Sequence, residues 1–130
     1  MRIIDGDTVV IVDDTVQYKV RLAQIDTPER GQPWSNKSRQ ALSSLIFGKV
    51  IEVRDIDIDR YGRTVGDVWF GNSWINAALV KSGNAWVFEK YLRDPVLLEY
   101  QREAVEQRLG LWQLPEAERL PPWLWRRNEK

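Results

Sequence analysis

No cysteine and no histidine occur in the 130 residues. The first absence rules out disulfides. The two together rule out zinc held by its usual Cys and His ligands, and any imidazole general base. Chemistry then falls to carboxylates, Lys, Tyr and hydroxyls, none of which has an unperturbed pKa near neutrality. Net charge is lacking too. Lys+Arg and Asp+Glu both number 19, so the overall charge points to no polyanionic partner. No apolar run is long enough to span a membrane, and no signal peptide is visible. Absence of Cys fits either compartment. A secreted or periplasmic location is expected only if an upstream signal has been removed.

A chain of 130 residues suffices for one domain with a real core. No repeat or linker divides it, so residues 1–130 are expected to form a single domain, with a Pro- and Trp-rich tail from about 116 that packs and then frays. The charge is unevenly spread. Residues 19–63 hold nine basic and six acidic side chains, against one and four in residues 1–18. That local excess of cations favours anions.

Strand-like stretches lie at 2–4, 8–12, 16–25, 49–58 and 64–70. The run at 49–58 (KVIEVRDIDI) alternates as a half-buried strand does. Three helices are predicted. One runs from a Ser35 or Asn36 cap to about Phe47, and one covers 74–82 after Ser73. The third starts at Asp94-Pro95, a good cap followed by a good first helical residue, and places Leu97, Leu98, Gln101, Val105 and Leu109 near one face. Short strands with appended helices suggest a small barrel, mainly β with α.

Three polar clusters interrupt this pattern. Asp5-Gly6-Asp7 is either an ordinary turn or a bend that aims Asp7 inward. Asp26-Thr27-Pro28-Glu29 is either a solvated turn or a site. Arg60-Tyr61-Gly62-Arg63 is a hairpin corner, either solvated or a phosphate clamp. Arg21, inside an apolar strand, must point to solvent or meet an anion. Strict alternation puts Arg21 and Asp26 on opposite faces, so they share a site only if the strand ends or twists between them. Three carboxylates (Asp7, Asp26, Glu29) and two arginines (Arg21, Arg63) make a coherent set. Hard oxygens select Ca²⁺ or Mg²⁺, a spare carboxylate activates water, and arginines stabilise a phosphodiester's transition state.

At these residues the chain resembles staphylococcal (micrococcal) nuclease and its bacterial thermonuclease-like relatives. The matching motifs are IDGDTV at 4–9, VRLAQIDTPE at 20–29 and DRYGRTVG at 59–66, supported by NAALVKSG at 76–83, GLW at 110–112 and the late PPWLWR. The resemblance implies a five-stranded OB-fold barrel with three appended helices. It implies Ca²⁺-dependent cleavage of DNA and RNA at the 5′ phosphoester, leaving 3′-phosphate ends, by a protein expected to be a monomer. Carried over by motif, Asp7 and Asp26 would be carboxylate ligands of Ca²⁺ and Thr27 a ligand through its carbonyl. Asp5 would act through water. Glu29 would orient or deprotonate the attacking water, and Arg21 and Arg63 would bind the phosphate. Arg60, Tyr61 and Tyr91 are the candidate nucleotide contacts, Arg60 standing where relatives often carry Lys. Two other readings stay open: a barrel of this kind that binds nucleic acid or protein without cutting, and a two-carboxylate glycosidase, which leaves both arginines unexplained.

Overall fold

The computed structural model describes residues 1–128. Eight strands and four helices follow in chain order: β1 (Arg2–Asp5), β2 (Thr8–Asp13), β3 (Val16–Leu22), β4 (Ile25–Asp26), α1 (Ser35–Ile46), β5 (Glu52–Ile58), β6 (Thr64–Phe70), β7 (Ser73–Trp74), α2 (Ile75–Lys81), β8 (Trp86–Val87), α3 (Val96–Glu106) and α4 (Pro122–Asn128). The main sheet runs β1-β2-β3-β6-β5, with β7 beside β6, and β4 pairs separately with β8. The β3–β6 pairing is parallel and the other ladders are antiparallel. This is the mixed α+β fold expected of an OB-fold with helices appended. A fourth helix, α4, adds to the three predicted.

Val9, Val20, Leu22, Leu42, Ile46, Val68, Leu79 and Leu97 are fully buried or nearly so, and they join the inner sheet face to α1, α2 and α3. A second cluster gathers Ala104, Leu111 and Trp112 with Trp34 and Trp86. The two clusters meet where Gly83 and Gly110 touch backbone to backbone. A Cβ on Gly83 would lie 2.1 Å from the Leu109 carbonyl oxygen, and Leu111 N–H donates to Gly83 O at 2.8 Å.

The structure corrects several local expectations. The run 16–25 is not one strand. It stops at Leu22, Gln24 takes a positive φ of 70°, and the chain resumes as β4. The alternating run 49–58 is not half-buried. Its register shifts between Arg54 and Asp57, Asp55 has φ 54°, and Ile56 and Ile58 are 58% and 60% exposed. A bulge on an edge strand turns one half of the alternation away from the core. On α3 the buried residues are Leu97 and Ala104, while Val105 and Leu109 are exposed. The helix ends at Glu106, before the predicted face is complete. α1 begins at Ser35, so Trp34 stands at the cap position.

Candidate active site

The kink between β3 and β4 builds the site. Leu22 and Ile25 are both buried in the core, so the two residues between them must turn. Asn76 pins the turn: its buried amide accepts from Val68 N–H and donates to Ala23 O, both at 2.8 Å. Gln24 pins the other side. Its carboxamide donates to Asp67 at 3.0 Å and accepts from the N–H groups of Arg93 and Asp94. A two-residue interruption thereby cancels the alternation that would separate Arg21 from Asp26.

Arg21 bridges the kink. Its Nη1 donates to the carbonyls of Leu22 and Ile25. Its Nη2 lies 3.4 Å from Asp7 Oδ2 and 3.3 Å from Asp26 Oδ1. Arg21 thus meets anions, the carboxylates of its own chain. Asp7 arrives from the β1–β2 turn, where Gly6 is required by close approach. A Cβ there would fall 2.8 Å from Ser38 Cβ and from Thr27 Oγ1. That proximity lets Thr27 N–H donate to Asp7 Oδ2 at 2.9 Å. Asp5 Oδ1 accepts Asp7 N–H at 3.1 Å, so the bend aims Asp7 inward.

The carboxylates are buried, and their pKa values move apart. Burial raises Asp7, but the Arg21 charge and its hydrogen bonds outweigh it, and the net shift is down. Asp26 is pushed up to about 6 by burial, with the Asp7 charge adding to the rise and Arg126 and Arg21 opposing it. Asp5 is pushed up to about 7, by burial first and then by Asp7. The absence of histidine thus does not leave the protein without groups that titrate near neutrality: desolvation moves carboxyls there.

The residue that the sequence did not reveal is Arg126, on α4. Its Nη2 donates to Asp26 Oδ2 at 2.7 Å and its Nη1 to Asp26 Oδ1 at 3.0 Å. Nη1 also donates to Glu29 Oε1. The helix is held by Trp123, whose ring stacks on Phe88 at 5.1 Å and meets Trp86 edge-on at 5.8 Å. The only signal for this in the sequence is the Trp-rich motif that ends in Arg126: so many aromatics must pack, and packing fixes the arginine that follows. The tail packs as helix α4, and the fraying expected after it lies outside the described residues.

The hairpin corner stands apart. Arg63 donates to Asp59 Oδ2 at 2.8 Å, within its own turn. Arg60 and Arg63 lie 5.1 and 5.7 Å from the ring centre of the exposed Tyr61. No ion pair among the described residues joins Arg63 to Asp7, Asp26 or Glu29. Tyr91 is exposed and packs edge-on against Phe88 at 4.9 Å, on the aromatic wall beside Arg126.

As arranged, no three acidic groups among the described residues converge to enclose an ion. The donor chemistry nonetheless fits a hard divalent cation. Two buried carboxylates share one Arg21 nitrogen, and a third oxygen, the Thr27 carbonyl, belongs to the adjacent residue.

Residues 19–114 match the family model described as staphylococcal nuclease homologue. The chain is 40% identical over 141 residues to a micrococcal nuclease of Shigella flexneri, covering 100% of this chain and 80% of that one. It is 39% identical over 130 residues to an uncharacterized endonuclease of Escherichia coli O157:H7, covering 99% and 84%. A probable staphylococcal-like nuclease of Oryza sativa subsp. japonica is 38% identical over 121 residues, 91% of this chain and 32% of the rice protein.

Proposed function

The chain belongs to the staphylococcal nuclease homologue family, and from that membership we propose a calcium-dependent nuclease that hydrolyses the 5′ P–O bonds of DNA and RNA and leaves 3′-phosphate ends. One observation carries the reading: the kink after Leu22 brings Asp7 and Asp26 to the same arginine, with Glu29 three residues on. A buried pair of acids sharing a guanidinium is poor economy for a fold alone.

In this reading Asp7, Asp26 and the Thr27 carbonyl hold Ca²⁺. The ion supplies positive charge to the phosphate under attack. Glu29 takes the proton of the attacking water as the new P–O bond forms, and the bond to the 5′ oxygen breaks. Arg21 neutralises charge at the phosphate from beneath the kink. Arg63 leaves Asp59 to reach the same phosphate. Its partly exposed side chain, on a hairpin turn, gives it room to do so. Arg60, Tyr61 and Tyr91 contact the substrate on either side, and the protein acts as a monomer and as one domain.

One observation favours the second reading, a module that binds without cutting: both Asp26 and Glu29 are bonded to Arg126. Plasmid nicking separates the two. Cleavage in Ca²⁺ that stops with chelator, and products that polymerase extends only after phosphatase treatment, support the nuclease proposed. Cutting that is equally fast in chelator removes Ca²⁺ from it, and binding without cutting favours the module.

A further inference from the structure

The Glu29 carboxylate has one recorded partner among the described residues, and it comes from the far end of the chain. Glu29 lies in the irregular segment between β4 and α1, where no ladder or helix fixes it. Its side chain bonds to Arg126 and its backbone N–H to Gln32 Oε1 at 2.9 Å. Buried Gln32 in turn donates from Nε2 to Leu120 O at 2.5 Å, on the approach to α4. Two separate links therefore run from Glu29 to the C-terminal segment, one through a side chain and one through backbone. The family model ends at residue 114, so both anchors, Leu120 and Arg126, lie beyond it.

We propose that Arg126 is a positioning residue for the reaction: carried by α4 and locked there by Trp123, it fixes the direction of the Glu29 carboxylate toward the site that holds the attacking water. The proposal rests on the reading of Glu29 as the base. A carboxylate on a loop samples several rotamers in water, and only one suits proton transfer. The guanidinium fork is planar and always charged, so it selects an orientation as well as a location. Arg126 also holds both oxygens of Asp26. That contact concerns Asp26 rather than the base, and an experiment has to separate the two.

A double-mutant cycle does so. kcat, KM and melting are measured for wild type, Arg126→Ala, Glu29→Gln and the double variant, with Arg126→Lys alongside. Expected is a fall in kcat of about 10²-fold for Arg126→Ala, with KM within a few-fold, since a base misplaced by about an ångström costs that much. In the Glu29→Gln background the same change should cost less than about threefold more, because the residue it acts through is already disabled. Loss of the Asp26 contact is common to both backgrounds and cancels. Arg126→Lys keeps the charge without the fork and should recover part of the rate. Equal losses in the two backgrounds overturn the proposal and leave Arg126 as a support for Asp26 or for the fold. An Arg126→Ala enzyme faster than wild type overturns it as well, and makes the tail arginine a plug. Near-normal kcat in Glu29→Gln sinks the base and its positioning together, whereas wild type that does not cleave sinks the nuclease reading itself.

Discussion

A single buried acid and a group of three acids flank the same kink, and they are built differently. On one side Asp67 stands as a lone acid. Gln24 donates to it at 3.0 Å, Trp74 Nε1 at 3.3 Å, and the half-exposed Arg93 lies 3.4 Å away. On the other side Asp7, Asp26 and Glu29 crowd together; arginines from β3 and α4 hold Asp26 and Glu29, and Arg21 stands beside Thr27 N–H at Asp7. Neutral donors fixed by backbone satisfy a single charge and leave nothing to exchange. Several acids paired with cations can exchange them for another cation. The first arrangement braces the kink; in the function proposed above, the second does chemistry on it.

The comparison breaks most visibly at Glu29. Glu29→Gln should lower kcat by ~10²–10⁴-fold, the usual worth of a general base, while DNA binding in Ca²⁺ persists. Steady-state kinetics beside a binding assay measures both, and near-normal kcat would leave Glu29 as turn decoration.

The arginines come next. Arg21→Ala leaves buried Asp7 without its cation and Asp26 with Arg126 alone, and should cost about 3–5 kcal/mol of stability together with a large loss of turnover. Arg63→Ala should slow turnover with little change in melting, because its one recorded ion pair is with Asp59 in its own turn. Arg93→Ala, on the bracing side, should cost no more than about 1 kcal/mol, since its side chain is 48% exposed. Urea melts of all three, with kcat for each, test the ranking; an Arg93 variant as damaged as the Arg21 variant would erase the contrast.

A smaller effect is expected from pH on the chelated protein. A carboxyl whose pKa is raised on folding stabilises the fold below its ordinary range and loses that contribution as pH rises through the raised value. Asp26 at about 6 and Asp5 at about 7 both have this sign. Asp7, lowered, contributes above the ordinary carboxylate range and loses that only in acid. Melting temperature in chelator should therefore decline as pH climbs from the ordinary carboxylate range to about 7. Asp5→Asn should flatten the upper half of that decline; an unchanged slope would show that Asp5 does not titrate there.

The smallest effect on turnover belongs to Asp67→Asn, which keeps the shape of the brace and removes its charge. kcat should stay within about twofold, because Asn keeps the hydrogen bonds of Gln24 and Trp74 and the shape of the brace. Because burial raises the Asp67 pKa, the variant's melting temperature should gain on wild type as pH rises above the ordinary carboxylate range. A large loss of kcat here would mean that the brace and the site are one unit.

Much of this was legible in the sequence. The longer strands and the first three helices follow from turn chemistry and apolar periodicity, whereas the inward bend at Asp5-Gly6-Asp7 stood open beside an ordinary turn. The meeting of Arg21 with Asp26 was legible only as a condition, because alternation forbids it and nothing local announces a positive φ at Gln24. That kink is imposed from afar, by Asn76, Asp67 and the turn before α3. Burial of 49–58 was misread for a related reason: alternation tells which residues share a face, not whether that face is covered. Arg126 was hidden more deeply. Its motif could be matched without revealing a role, since an arginine 100 residues from its partner leaves no spacing signal.

That separation also sets an order in time. Chains emerge from the ribosome N-terminus first and can fold as they emerge. Asp7, Arg21, Asp26 and Glu29 are all made before the guanidinium that joins two of them, which follows Glu29 by 97 residues. A nascent chain can hold a formed sheet and still lack this contact. Its carboxylates are brought under Arg126 only once α4 has been made.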